Sequence, residues 1–290
     1  MKITVKKLLT NNKKISLLDK EILLSHVIKK SREFLFANPD FEISFWQKIK
    51  FESLLRQRQK NIPIAYLIRH KEFFGLDFFV NKNVLVPRPD TELMVATAIA
   101  EINEQGTENK NILLIDVGTG TGCIPIAIRK SVLSANPNFK METIAIDISK
   151  KALCVAKKNA KKHNVEIEFL HGNLLEPIFQ LSELRTENTE IIITANLPYI
   201  TEQQFKQEPS IQKEPKLALV ADNEGLALYE ELLKQIKQLL LTLDFRLLTM
   251  FEIDPTQTDK IKIMIKKYLP EANIEIKKDL AGLDRLVIIT

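Results

Sequence analysis

The heptapeptide Asp116-Val117-Gly118-Thr119-Gly120-Thr121-Gly122 constrains this chain more than any other stretch. The apolar run Ile112-Leu113-Leu114-Ile115 precedes it and reads as a buried parallel strand. Cys123 to Arg129 follows and reads as a helix start, with Pro125 in the first turn, where a missing N–H is tolerated. Strand, glycine-rich turn and helix N-terminus together make a nucleotide-type site. The glycines admit close backbone approach, and the free amides of the helix start face the ligand. Such a unit needs a sheet around it.

From Asn111 onward the chain supplies one. Apolar strands centred on Leu114, Ile146, Phe169, Ile192, Thr249, Ile274 and Val287 alternate with helices over 122–134, 149–163, 225–240 and 256–268. The alternation predicts an α/β fold: a Rossmann-like, seven-stranded, mostly parallel sheet with helices on both faces and an antiparallel last strand at one side. Glu104 to Lys110 is polar and reads as a loop. Ahead of residue 70 the periodicity is helical only. Ser16 is the expected N-cap of a helix through Lys30, and Phe45 to Gln59 forms another, with Trp46, Ile49, Phe51, Leu54 and Leu55 as its apolar positions. Extended segments at Glu72–Val80 and Val84–Val86, around the turn Asn81-Lys82-Asn83, predict a hairpin. Asp90 is the expected N-cap of a helix over 91–102. The division expected is a small all-helical domain over 1–72, a hairpin linker over 73–86 and an α/β domain over 87–290.

Composition narrows the function classes. At 290 residues, 45% hydrophobic and 27% charged, the chain is globular and long enough for two domains. The net charge of +5, from 42 Lys+Arg against 37 Asp+Glu, is a mild bias that demands no nucleic-acid partner. Lys157, Lys158, Lys161 and Lys162 read as the solvated face of one helix. Cys123 and Cys154 read as reduced core thiols of a cytoplasmic protein. No run approaches the ~18 apolar residues of a membrane span. None of the four histidines lies at metal-ligand spacing, so no metal is expected.

GxGxG after a strand is shared by dinucleotide and S-adenosylmethionine (SAM) binders. The third glycine of GxGxxG, which brings the helix close to a pyrophosphate, is missing: Cys123 and Ile124 stand there. SAM carries no pyrophosphate. Asp147 ends the next strand, where a carboxylate accepts both ribose hydroxyls or caps the following helix. Asp116 suits the ammonium of the amino-acid tail, or stabilises the turn as an Asx residue. Asn173 stands where a side chain meets the adenine edge, with Leu174 against the ring, or serves as a loop residue. The cofactor candidates are therefore Asp116, Gly118, Thr119, Gly120, Thr121, Gly122, Asp147, Asn173, Leu174 and, from the motif below, Asn196.

Asn196-Leu197-Pro198-Tyr199 follows the strand Glu190–Ala195. In an open α/β sheet the carboxyl ends of the strands carry the ligand, which sets this tetrapeptide near the glycine loop. A planar amide or aromatic amine is hard to methylate because its nitrogen lone pair is delocalised. An Asn carbonyl and a backbone carbonyl that accept from its NH2 group hold it in line with the methyl and relieve the developing charge. Pro198 stiffens the turn and frees nearby carbonyls. Tyr199 offers a flat face to the target or to the sulfonium. An Asn-x-Pro turn with an exposed Tyr is the alternative.

Asp116 to Gly122, Asp147 and Asn196 to Tyr199 resemble a class I SAM-dependent methyltransferase of the amino-methylating group. Pro63-Ile64-Ala65-Tyr66 with Glu72-Phe73-Phe74-Gly75, then Leu85-Val86-Pro87-Arg88-Pro89-Asp90-Thr91-Glu92, then Glu214 to Val220 resemble the peptide chain release factor N5-glutamine methyltransferase family. The resemblance implies SAM as cofactor, S-adenosyl-L-homocysteine as product, and N5-methylation of the glutamine in the Gly-Gly-Gln loop of class I release factors. It implies that the helical domain holds the release factor, that the enzyme is a cytoplasmic monomer, and that it needs no direct nucleic-acid contact. Catalytic roles fall to Asn196, Pro198 and Tyr199. Leu197 joins them in binding substrate, and Arg88 orients the substrate loop or serves structure. The family's NPPY is NLPY here, a form also found in rRNA adenine dimethyltransferases, and Asn173 replaces a usual Asp. An adenine N6-methyltransferase acting on RNA or DNA and a non-catalytic SAM-binding module are the alternatives.

Overall fold

A computed structural model describes residues 2–11, 14–104, 111–181, 189–242 and 246–290. Residues 105–110 of the expected polar loop lie outside the described residues. The chain forms two compact units: Met1–His70 with Glu208–Lys213, and Lys71–Gln207 with Glu214–Thr290.

The first unit is helical: α1 (Val5–Thr10), α2 (Leu17–Ile28), α3 (Arg32–Ala37), α4 (Phe45–Arg58) and α5 (Ile64–Ile68). Ser16 accepts from the Asp19 amide at 3.0 Å, and Ser44 and Gln47 form a reciprocal capping box at α4. Leu23, Leu24, Leu35 and Phe51 centre its core. The apolar face expected of α4 splits. Phe51, Leu54 and Leu55 are buried, whereas Trp46 is 76% and Ile49 39% exposed, because the core stripe holds only the C-terminal half of the helix.

The second unit opens with a hairpin, β1 (Lys71–Phe73) and β2 (Leu76–Phe78). It turns two residues in, at Phe74 (φ 51°) and Gly75 (φ 71°), a pair of positive angles that matches the twist of a two-residue hairpin. No strand forms at Val84–Val86. The Val86 N–H donates instead to Glu214 Oε2 at 3.0 Å. Asp90 is not the cap of the next helix. The segment enters through a 3₁₀ turn at Pro89–Thr91 with Arg88 at the N-cap, and Pro89 begins the turn where its missing N–H is harmless.

Then follow α6 (Glu92–Glu104), β3 (Asn111–Val117), α7 (Cys123–Ala135), β4 (Met141–Asp147), α8 (Lys150–His163), β5 (Glu168–His171), β6 (Thr189–Ala195), α9 (Glu202–Gln207), α10 (Ala227–Thr242), β7 (Arg246–Glu252), α11 (Thr258–Tyr268), β8 (Ile274–Lys278) and β9 (Asp284–Ile289). The strand order is β5-β4-β3-β6-β7-β9-β8. The first five strands are parallel. β9 is antiparallel and lies at one side of the sheet, as expected, between β7 and β8. Successive residues of a strand face opposite sides. Leu113, Ile115, Ile191 and Ile193 pack with Tyr229, Leu233 and Ile261 from α10 and α11. Ile112, Leu114 and Ile192 pack with Met94, Ala98 and Ile126 from α6 and α7. Burial on both faces gives β3 and β6 the apolar cores Ile112–Ile115 and Ile191–Ile193. Among the described residues no helix is long and apolar enough to cross a membrane. Both cysteines are free thiols. Cys123 is buried, but Cys154, expected in the core, sits on the solvent side of α8.

Candidate active site

The register decides which residues meet. Val117 stands opposite Ala195 in β6 and Ile146 in β4, while Asp147 stands opposite His171 in β5. Gly118, Asp147, His171 and Asn196 therefore stand at one level at the carboxyl ends of their strands. Strand order reverses between β3 and β6, the topological switch point at which such sheets bind ligands. A cavity of about 190 Å³ opens there.

The glycine loop is held from beneath. The Gly118 and Thr119 amides both donate to the Ile146 carbonyl at 2.9 Å. The Gly120 amide donates to Asp147 Oδ2 at 2.8 Å, and the Ser149 amide to Asp147 Oδ1 at 2.7 Å. Asp147 thus ties the loop to the start of α8, so the helix-start role and a place on the cavity wall coexist in one carboxylate. Burial pushes its pKa up, and these amides pull it back. Gly118 has φ +73°, and a Cβ there would lie 2.9 Å from Leu197 Cδ2: the loop rests on the tetrapeptide. Gly118, Thr119, Gly120 and Thr121 line the cavity. Gly122 does not. It is the left-handed N-cap of α7, set against Ile126 and Ala156.

Asp116 lies below the wall, 1% exposed. The Thr194 hydroxyl donates to its Oδ1 at 2.7 Å. Its Oδ2 and the Thr119 hydroxyl oxygen have no hydrogen-bond partner among the described residues. Burial raises the Asp116 pKa to about 6. The Thr119 hydroxyl stands close enough to Asp116 to favour its charged form, and Thr119 lines the cavity, so these two groups beside the glycine loop fit the zwitterionic tail of the expected cofactor. Asn173 and Leu174 reach the cavity, with Asn173 Nδ2 donating to Glu176 at 3.0 Å and Leu174 7% exposed.

The tetrapeptide sits on the opposite wall. Asn196, Leu197 and Pro198 line the cavity. Asn196 Nδ2 donates to Thr91 Oγ1 at 3.0 Å, which turns its carbonyl oxygen the other way. The Leu197 amide donates to the Tyr229 hydroxyl at 3.3 Å, and that hydroxyl donates in turn to the Glu252 carbonyl. Tyr199 is placed differently from expectation and does not line the cavity. Its ring packs on the core and its hydroxyl donates to Glu252 Oε1 at 3.2 Å. Burial and the neighbouring Glu252 push the Tyr199 pKa far up, keeping it a neutral donor. The Tyr199 carbonyl accepts from Gln257 Nε2 at 2.9 Å.

The flanking stretches converge here. Arg88 lines the cavity and its guanidinium meets Glu214 Oε1 at 2.5 Å, the same carboxylate that holds Val86. Pro215, Leu217 and Ala218 complete that side. The Phe74 amide donates to Glu92 at 2.9 Å, locking the hairpin to α6. The Ile200 amide donates to the Leu219 carbonyl at 3.0 Å. Sequence reading passed over Thr91, Asn159, Tyr229, Glu252 and Gln257. Asn159 is fully buried, donating to the Thr121 carbonyl at 2.9 Å and to the Phe79 carbonyl at 3.0 Å. A polar residue on the apolar face of a lysine-rich helix was the signal for it.

Residues 4–68 match the PrmC N-terminal domain family, and residues 108–242 match a methyltransferase domain family. Relatives named release factor glutamine methyltransferase include those of Enterococcus faecalis (38% identical over 236 residues, 81% of this chain and 78% of that protein), Bacillus anthracis (32% over 269 residues, 92% and 90%) and Flavobacterium psychrophilum (34% over 269 residues, 92% and 88%). Among solved structures, the catalytic domain of METTL16 in complex with a MAT2A 3′UTR hairpin has a TM-score of 0.55 at 15% identity, covering 92% of this chain and 90% of that one. The N-terminal domain of human METTL16 in complex with SAH has a TM-score of 0.51 at 18% identity, covering 92% and 93%. These two show the fold, a class I methyltransferase sheet. At 32–38% identity along most of both lengths, and with an N-terminal domain family shared as well, the chain belongs to the release factor glutamine methyltransferase family.

Proposed function

We propose that the chain transfers a methyl group from SAM to the side-chain amide nitrogen of the glutamine in the Gly-Gly-Gln motif of class I release factors. The observation that carries this reading is the fixed Asn196 amide. Its donor side is committed to Thr91, so its carbonyl oxygen is left for an incoming NH2 group beside the glycine loop. SAM, once bound, supplies an electrophilic methyl on a sulfonium and leaves as S-adenosyl-L-homocysteine. The chain's own residues position and desolvate. Asn196 accepts from the glutamine NH2, aligns its nitrogen and relieves the positive charge that grows there. Leu197, Pro198, Leu217 and Ile148 give the cavity apolar walls that strengthen those hydrogen bonds by excluding water. Arg88, pinned by Glu214, stands at the rim as the residue that orients the substrate loop. The helical unit grips the body of the release factor. The enzyme works in the cytoplasm as a monomer, without direct nucleic-acid binding.

The test offers purified protein and SAM a release factor and total RNA in parallel, and reads products by mass. The expected result is a gain of one methylene on the Gly-Gly-Gln peptide. Methylation found only in RNA overturns the reading. A second expectation concerns the cofactor. Asp147→Ala removes the carboxylate that anchors Gly120, lines the cavity and would accept from the ribose hydroxyls, and weakens SAM binding roughly 10- to 100-fold, the worth of a hydrogen bond to a charged group. Unchanged affinity in calorimetry takes Asp147 out of the cofactor site.

A further inference from the structure

The ladder between β6 and β7 ends at the pair Ala195 and Phe251. Beyond it the chain leaves β6 as the tetrapeptide, and a side chain takes over from the strand. The Leu197 amide donates to the Tyr229 hydroxyl at 3.3 Å, and that hydroxyl donates to the Glu252 carbonyl at the end of β7. The direction of both bonds is fixed by chemistry: an amide N–H only donates, a carbonyl only accepts, and one hydroxyl does both. Tyr229 reaches in from α10, fully buried, with its ring against Phe251 at 4.9 Å between centroids. Leu197 and Glu252 are 3% and 1% exposed, so water does not compete for these groups.

The far end of the same loop is also held. The Tyr199 carbonyl accepts from Gln257 Nε2 at 2.9 Å, and the same nitrogen donates to the Glu224 carbonyl at 2.9 Å. Gln257 Oε1 accepts from the Asp254 amide at 3.1 Å, so this buried side chain cannot turn over without losing all three bonds. Between the two ends Pro198 fixes φ and has no N–H of its own.

The hold at Leu197 sets more than one atom. The Asn196–Leu197 peptide is trans, and a planar trans peptide points its C=O opposite to its N–H. With the N–H turned to Tyr229, the Asn196 backbone carbonyl faces the glycine loop, where a Cβ on Gly118 would lie 4.0 Å from its oxygen. The same plane carries the Asn196 Cα and so fixes the point from which the side-chain amide starts.

We propose that Tyr229 and Gln257 are positioning residues for methyl transfer: they clamp the backbone of the tetrapeptide at its two ends, so that Asn196 meets the acceptor nitrogen in one fixed place. The proposal rests on the role given to Asn196 above. Neither residue lines the cavity or touches the reacting atoms. Tyr229→Phe keeps the ring and removes only the hydroxyl. The Leu197 amide and the Glu252 carbonyl are then buried without partners, and the loop shifts to find others. A displacement on the order of 1 Å at a positioned group costs up to about a hundredfold in rate.

Steady-state methylation of the release factor by the full chain tests this, together with calorimetry of SAM binding, thermal unfolding and hydrogen exchange at the Leu197 amide. Tyr229→Phe is expected to lower kcat on the order of tenfold to a hundredfold, with KM and SAM affinity within about twofold of wild type. Its Leu197 amide exchanges on the order of tenfold faster. Gln257→Leu releases the other end and lowers kcat in the same way, by roughly threefold to tenfold. Ile236→Val is the control. It loosens α10 in the same core but takes no hydrogen bond from the loop, so its kcat stays within about twofold of wild type. Wild-type kcat in Tyr229→Phe or Gln257→Leu, unchanged Leu197 exchange in Tyr229→Phe, or an equal kcat loss in Ile236→Val overturns the proposal. If Tyr229→Phe does not fold, Gln257→Leu and the control decide by the same criteria. Where Asn196→Ala abolishes turnover but the two clamp variants do not lower it, only this proposal falls. Full turnover in Asn196→Ala removes the reading on which it rests.

Discussion

Replacing Asn196 with alanine lowers kcat about 10²-fold or more while SAM affinity stays within about twofold of wild type. The size follows from what the side chain does. The acceptor nitrogen of a primary amide is a poor nucleophile, and it gains positive charge only as the methyl arrives. A carbonyl oxygen that accepts from its NH2 group gains most at that moment, so its removal appears in kcat and not in ground-state binding. The proposed cofactor site keeps its geometry. Asp147 is tied to Gly120 and Ser149, and the glycine loop to Ile146, with no contribution from the Asn196 side chain. Single-turnover methylation of a release factor, with calorimetry of SAM binding, separates the two. Turnover at the wild-type rate removes Asn196 from the chemistry, and a parallel loss of SAM affinity reassigns it to the cofactor.

Gly225→Ala destabilises the protein by about 2–5 kcal/mol and cuts turnover together with stability. Gly225 has φ +85°, where a Cβ costs roughly 1–2 kcal/mol of backbone strain. The Cβ would also lie 1.9 Å from the Tyr199 carbonyl oxygen and 2.6 Å from Gln257 Nε2. Neither is the free end of a flexible side chain: the carbonyl is backbone, and Gln257 is held by hydrogen bonds to the Tyr199 and Glu224 carbonyls. Overpacking of this kind adds about 1–3 kcal/mol. The displaced backbone is that of the tetrapeptide, so Asn196 moves with it. In a domain of this size the loss lowers Tm by roughly 5–15 °C. Gly282→Ala is the control. Its φ of +78° carries the strain, but nothing lies within 4 Å of the new Cβ, so Tm falls less and turnover holds. Equal effects of the two substitutions in calorimetric melts would show that strain alone acts at Gly225.

The elements of the sheet were readable because of how they are buried. A strand covered on both faces carries a continuous apolar run, and β3 and β6 declare themselves as Ile112–Ile115 and Ile191–Ile193 without any knowledge of partners. The cofactor loop was readable because positive φ at Gly118, Gly120 and Gly122 demands glycine, whatever packs above it. Where local patterning was ambiguous, the expectation slipped. The hairpin closed at Phe74-Gly75, because two adjacent positive φ values make the tighter turn, and Val86 gave its N–H to a side chain. Cys154, expected in the core, came out exposed because its position on α8 faces solvent.

Strand order of burial, turn chemistry and the sites of the two motifs thus follow from local rules acting over a few residues, and these the amino-acid order alone decides. The partners of buried polar atoms follow from packing between segments far apart in the chain. Asn196 meets Thr91 across 105 residues, Arg88 meets Glu214 across 126, and Tyr199 meets Glu252 across 53. No periodicity marks such pairs, because each partner is an ordinary residue until the sheet register and the 3₁₀ turn bring it within hydrogen-bond reach. Tertiary structure alone turned Tyr199 from the cavity to Glu252, and it alone gave the Asn196 amide its direction.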